Sequence, residues 1–341
     1  MERKEFIKHT TVMAAGLIIT KDLFAKDKGP VYGHGNMRYR MDKDWSKADS
    51  QKNPVNDCHE MVQDSKGRIL LLTNETKNNV MIYNTSGKLL GTWGHDFPGA
   101  HGLTLFNENG TEVLFITDTV KNQVYKTTLD GRLLMTIDVP MDTGVYKEAK
   151  EFVPTETAID TNGDIFIADG YGAQFITHYD KNGKLKGVFG GKGEGDEHLD
   201  NAHGIVIDRR NAVPTLLITD RTRNCFKRFS MDGKLQEIIK LPGACVCRPV
   251  IKGDHLYAAV LRSPDLGKAN SGFTTILDKG NKVVSNIGGT EPVYTNGVLQ
   301  PMAQAEQIFL NPHDVCVDKD DNLYVAQWAS GKVFPYKFTR V

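Results

Sequence analysis

The chain has 341 residues, 40% of them hydrophobic, which is enough to bury a large core. Its 42 basic and 42 acidic side chains cancel, so no cationic excess is available for the phosphate backbone of nucleic acid. No run reaches the roughly 18 apolar residues of a membrane span.

The first 28 residues read as a segment apart from the fold. Arg3-Lys4-Glu5-Phe6-Ile7-Lys8 precedes a short apolar stretch from Thr10 to Thr20. That pattern resembles a twin-arginine export signal with Lys4 in place of the second arginine, and implies a periplasmic or secreted protein. Residues 29–341 read as one domain.

Within it, one pattern recurs. Segments beginning at His59, His101, Thr155, His203 and His313 each enter a period-2 apolar run, as in His203-Gly204-Ile205-Val206-Ile207-Asp208. A turn and a second apolar run follow, as in Gly163-Asp-Ile-Phe-Ile-Ala-Asp169 and Thr215-Leu-Leu-Ile-Thr-Asp220. A third run ends in an aromatic residue and a Gly-Lys/Arg-Leu turn at Gly87, Gly131, Gly183 and Gly233, and a short fourth run completes the unit. Four short strands between Gly, Asn and Asp turns make a blade of antiparallel sheet. Copies about 40–60 positions apart have the spacing of propeller blades. A degenerate copy is assigned to Arg248, in the histidine position, which gives six blades; its third strand follows a long loop, Arg262 to Gly272. The last blade has only three strands before Val341, and residues 37–45 can supply the fourth. The fold class predicted is all-β, a six-bladed β-propeller closed by its N-terminal segment, which hides the terminal sheet edges.

Histidines repeated at equivalent strand starts converge on the propeller axis, which predicts a metal site. Neutral imidazole suits Zn²⁺ or another divalent transition metal, and three such ligands leave a position for substrate or water. The five cysteines (58, 225, 245, 247, 316) are scattered and odd in number, so they read as buried thiols and not as a disulfide scaffold.

These repeats look like NHL repeats across roughly residues 55–341. Phe152-Val-Pro-Thr-Glu-Thr-Ala-Ile-Asp160, Asp169-Gly-Tyr171, Ala202-His203-Gly204, Leu217-Ile-Thr-Asp-Arg221 and Asn311-Pro-His313-Asp314 resemble the peptidyl-α-hydroxyglycine α-amidating lyase domain. The resemblance implies a zinc ion held by His101, His203 and His313, with Tyr171 as general base and Arg221 as the cation that favours its phenolate. It also implies a structural Ca²⁺ held by the Asp314 carboxylate and the carbonyls of Leu103 and Cys58. Arg248, pointing into the channel, is expected to take an anionic substrate group. The sequence departs from the lyase pattern at Asn74, where the lyase has an arginine, at His59, where the lyase gives no ligand, and in lacking its disulfide.

Three functions follow as alternatives. One is a zinc-dependent lyase that cleaves a C–N or C–O bond at a hydroxyl-bearing carbon of a small-molecule, peptide or sugar substrate. The second is a metal-dependent lyase or hydrolase of a modified sugar. The third is a non-catalytic NHL binding module, which gives no reason for histidines on alternate blades. Lactonase-type propellers hold Ca²⁺ with carboxylate and Asn ligands, against which the four histidines argue. The chain is expected to act as a monomer.

Overall fold

The computed structural model describes residues 29–341. The expected export segment, 1–28, lies outside the described residues. The architecture is a six-bladed β-propeller of antiparallel sheets. Blade one, for example, runs Cys58–Gln63, Ile69–Thr73, Val80–Tyr83 and Leu89–Trp93 from the axis outward. No helix among the described residues is long and apolar enough to cross a membrane.

The second strand of each blade explains the apolar runs of the sequence. Ile69–Thr73 and Thr215–Asp220 are buried at every position, because each lies between its neighbours in the sheet and the blades on either side. The core is therefore divided. Six apolar clusters each fill one interface between adjacent blades, with no single centre.

The ring closes in the sixth sheet. Met37–Asp42 pairs antiparallel with Tyr336–Arg340, and Val31–His34 adds a fifth strand outside it. Trp45 then crosses to blade one. Its ring packs 5.0 Å from Tyr83 and 4.8 Å from Tyr324, and its indole N–H donates to Thr85 O at 3.1 Å. The turn glycine of blade one makes this approach possible. Gly87 has φ +87°, and a Cβ there would stand 1.7 Å from Trp45 O.

Repeated aspartates tie the turns. At the end of the first strand, Asp64 accepts Lys66 and Arg68 N–H groups, and Asp318 accepts those of Asp320 and Asn322. At the end of the second strand, Asp169 accepts Val153 N at 2.6 Å and Ala173 N at 2.7 Å. Carboxylates placed this way satisfy loop donors that no ladder reaches.

Candidate metal centre

Each inner strand starts at the channel mouth. In blades one, two and six the ladder register shifts at the histidine, between Cys58 and Glu60, between Ala100 and Leu103, and between Pro312 and Asp314. A bulge of this kind breaks strict alternation, so two successive side chains can face the axis. The histidine takes the upper level and the next residue the lower one.

At the upper level four imidazoles meet. The ring of His101 lies 4.8 Å from His59, 4.8 Å from His203 and 4.9 Å from His313. His203 and His313 are 4.7 Å apart. One ring nitrogen from each of His59, His101 and His313 falls within 4.8 Å of the others. His203 Nε2 lies 3.1 Å from His313 Nε2, close to the roughly 3.3 Å edge of a tetrahedron with zinc–nitrogen bonds of 2.0–2.1 Å. The expected trio of His101, His203 and His313 is thus brought together, and His59 joins it.

Carbonyls orient two of these rings. His101 Nδ1 faces Thr155 O at 2.9 Å, and His313 Nδ1 faces His59 O at 3.1 Å. A carbonyl only accepts, so each Nδ1 carries the proton and each Nε2 presents a lone pair to the axis. Burial keeps all four rings neutral: it pushes His59 down to about 3 and lowers His101, His203 and His313 well below the ordinary value. His59 and His203 also retain a buried Nδ1 without a partner. Neutral, converging, partly unpartnered imidazoles fit a borderline transition-metal ion.

Tyr171 stands over this cluster. The residue is 42% exposed at the mouth, while its hydroxyl points inward to within 3.1 Å of His101 Nε2. Arg221, fully enclosed, reaches the same hydroxyl; its Nε donates to Val246 O at 3.3 Å and its Nη2 to Cys247 Sγ at 3.1 Å. Among the described residues no carboxylate pairs with Arg221, in contrast to Arg248. A buried guanidinium without a counter-ion is suited to an anionic group. Burial raises the Tyr171 phenol above its ordinary value, and Arg221 opposes without reversing this. Asn74 is engaged elsewhere, accepting Asp57 N at 2.9 Å and Asn56 Nδ2 at 3.0 Å.

Two expectations are corrected at blade five. The residue in the histidine register there is Cys247, not Arg248. Thr219 Oγ1 donates to Cys247 O just as Thr117 Oγ1 donates to Thr155 O one blade pair earlier. Arg248 is one position on, in line with Glu60, Glu156 and Asp314 at the lower level. It is also unavailable to substrate. Its Nε and Nη2 engage both Asp314 oxygens at 3.0 and 2.8 Å, and the other N–H groups point to Leu103 O at 3.0 Å, Met61 O at 3.1 Å and Glu60 Oε2 at 3.2 Å.

The expected calcium set fares likewise. Asp314 and Leu103 O converge as the resemblance implies, but on the Arg248 guanidinium, and the second carbonyl is that of Met61, not Cys58. The Cys58 thiol turns outward to Val333 O. These oxygens do not fit Ca²⁺ as the chain stands, because a cation already fills the space between them. Beyond Arg248 the inner strands line a cavity of about 400 Å³, with Val62, Leu105, Ile207 and Ile251 on its walls; the histidines do not line it.

Of the lower-level acids only Asp314 is marked by the family resemblance; Glu60 and Glu156 carry a signal of position alone. Glu60, Glu156 and Asp314 each directly follow the repeat's first residue. Aligning that second position, and not only the first, exposes them.

No family model matches the chain. Over 104 residues, 29% of the chain, it is 34% identical to peptidyl-α-hydroxyglycine α-amidating lyase 1 of Drosophila melanogaster. The match spans only 18% of that protein. A streptogramin B lyase structure aligns with a TM-score of 0.57 at 15% identity, over 88% of this chain and 97% of that one. A gluconolactonase from Xanthomonas campestris aligns with a TM-score of 0.57 at 10% identity, over 92% of this chain and 98% of its own. At such identities the structural likeness is one of fold. The chain is a six-bladed β-propeller that resembles, over part of its length, the α-amidating lyases.

Proposed function

We propose that this protein is a metal-dependent lyase that breaks a C–N or C–O bond at a carbon bearing a hydroxyl. One observation carries the reading: four neutral imidazoles converge on the axis directly beneath a tyrosine hydroxyl and an unpaired, buried arginine.

His101, His203 and His313, with His59 beside them, would hold the ion. A divalent cation there supplies positive charge that acidifies a hydroxyl brought to it and the phenol alongside. The chain's own residues do the rest. Tyr171, as the phenolate that Arg221 and the ion's charge would favour once its own proton has left to solvent, would receive the proton from the substrate hydroxyl on Oη. The C–O bond becomes a carbonyl as the neighbouring C–N or C–O bond breaks, and the leaving nitrogen or oxygen takes both electrons and then a proton. Arg221, which has no carboxylate of its own, holds negative charge on the substrate or on the phenolate. The exposure of Tyr171 supports a reaction at the mouth, which a peptide, sugar or other small molecule would enter.

The partial likeness to an amidating lyase supports this reading, and a Zn²⁺ ion suits the donor set. A lactonase-like chemistry on open carboxylates is less suited, because Arg248 occupies the carboxylate level. We also read residues 1–28 as an export signal that would carry the folded protein to the periplasm or beyond. Incubating metal-replete protein with peptidyl-α-hydroxyglycine substrates and following amide and glyoxylate release tests the activity. No product above background from such hemiaminals, with zinc bound, would overturn the reading.

A further inference from the structure

The lower level of the axis holds a second built site, separate from the histidines. Three carboxyl groups, Glu60, Glu156 and Asp314, come from blades one, three and six and are fully buried. Together they would carry three negative charges in a region without water access, which is prohibitive without a counter-ion. Arg248 is that counter-ion. All five of its N–H groups have an oxygen in reach: two on Asp314, one on Glu60, and the carbonyls of Met61 and Leu103. Glu156 Oε2 lies 3.6 Å from Nε.

Two oxygens of the cage, Glu60 Oε1 and Glu156 Oε2, have no hydrogen-bond partner. The carboxylates are themselves bonded to the strands. Asp314 Oδ2 accepts Met61 N at 2.9 Å, Glu60 Oε2 accepts Leu103 N at 2.6 Å, and Glu156 Oε1 accepts Thr157 N at 2.8 Å. The guanidinium therefore fastens four blades to one another through a single charged group.

Carboxylates and backbone carbonyls gathered around a cation are the donor set of a hard divalent ion. We propose that the Arg248 guanidinium does the work of a structural divalent cation, so that the wild-type chain binds no Ca²⁺ on its axis, and that the cage becomes a Ca²⁺ site once the guanidinium is removed. Blade five supplies the cation covalently, and the fold is made independent of calcium concentration.

Calcium titration by calorimetry and thermal melting, on full-length protein, tests this. Wild-type protein is expected to take up no Ca²⁺ tightly and to melt at the same temperature throughout. Arg248→Ala is expected to bind one Ca²⁺ per chain, and its melting temperature to rise by roughly 4 °C when calcium reaches about a hundred times its dissociation constant. Adding Asp314→Asn to that variant should abolish the binding. One tightly held Ca²⁺ in the wild type would overturn the proposal, as would an Arg248→Ala chain whose folding and melting ignore calcium. The wild-type titration decides even where the variant is recovered unfolded. Both readouts concern calcium, which imidazoles bind poorly, so they stand or fall apart from the lyase activity.

Discussion

His203 Nε2 and His313 Nε2 face each other at 3.1 Å on the propeller axis, although 110 residues separate them in the chain. The His313 nitrogen is a lone pair, since its Nδ1 proton is committed to His59 O. Its counterpart on His203 belongs to a ring whose Nδ1 has no partner. Two such nitrogens at this separation are arranged for a shared cation. Purified protein should contain close to one transition-metal ion per chain. His313→Ala should weaken metal affinity by more than about 100-fold, beyond the roughly 10–100-fold cost of losing a supporting contact. Metal quantification after dialysis checks it; full retention by His313→Ala would remove the axis from consideration as the metal site.

Tyr171→Phe deletes one hydroxyl at the mouth. Metal content and melting should be unchanged, while turnover should fall by about 10²–10⁴-fold, the usual cost of losing a general base. A variant with wild-type turnover would take Tyr171 out of the mechanism.

Burial raises the Tyr171 phenol and the Arg221 guanidinium works against it. Without that cation the phenolate is harder to form. The pH–rate profile of Arg221→Ala should therefore move to higher pH. An unmoved profile with reduced rate would mean that Arg221 binds substrate and does not tune the base.

Acid stability should depend on Asp208. Burial alone would raise its carboxyl, but hydrogen bonds from Arg210 and Arg228 hold it down at about 2. A depressed carboxyl contributes stability that is complete above its unfolded value near 4 and is lost as pH falls through 2. The contribution is on the order of 2 kcal/mol. Asp208→Asn should be less stable at neutral pH, because Arg210 and Arg228 lose their counter-ion, and should lose less on acidification from pH 4 to pH 2. Denaturant melts across that range measure both.

Trp45 joins the N-terminal segment to blades one and six through Tyr83 and Tyr324. Trp45→Ala should cost about 3–5 kcal/mol, as expected for emptying a fully buried aromatic site. A much smaller loss in chemical denaturation would show that the Met37–Asp42 strand closes the ring unaided.

The fold was legible because the second strands announce themselves. Ile-Phe-Ile-Ala and Leu-Leu-Ile-Thr stretches between turn residues leave little but sandwiched strands. The upper axial level was legible for the same reason that it is repeated, since one histidine recurs in one frame. The lower level was not, because its meaning depends on bulges. A register shift of one residue sends the next side chain to the axis as well, and nothing in Glu60 or Glu156 alone marks that. Blade five sits one residue off the frame expected from sequence because its repeat has neither the histidine nor the following glycine or acid. Only the Thr219 hydrogen bond to Cys247 O fixes its frame. The convergence of Asp314 and the carbonyls on an arginine could not be read from sequence at all, since the cation comes from a blade 66 residues away.

Because His59 and His313 both belong to the cluster, its parts are made at very different times. At typical synthesis rates of about 5–20 residues per second, roughly 10–50 s pass between them. The sixth sheet is likewise completed by one of the first strands made and the last. Early blades can fold as they emerge, but the ring stays open and the cluster lacks a quarter of its imidazoles until the final blade is released. A metal ion that needs all four imidazoles would therefore be captured only after blade six has been made, and a product truncated before His313 would hold neither the closed ring nor the full set of histidines.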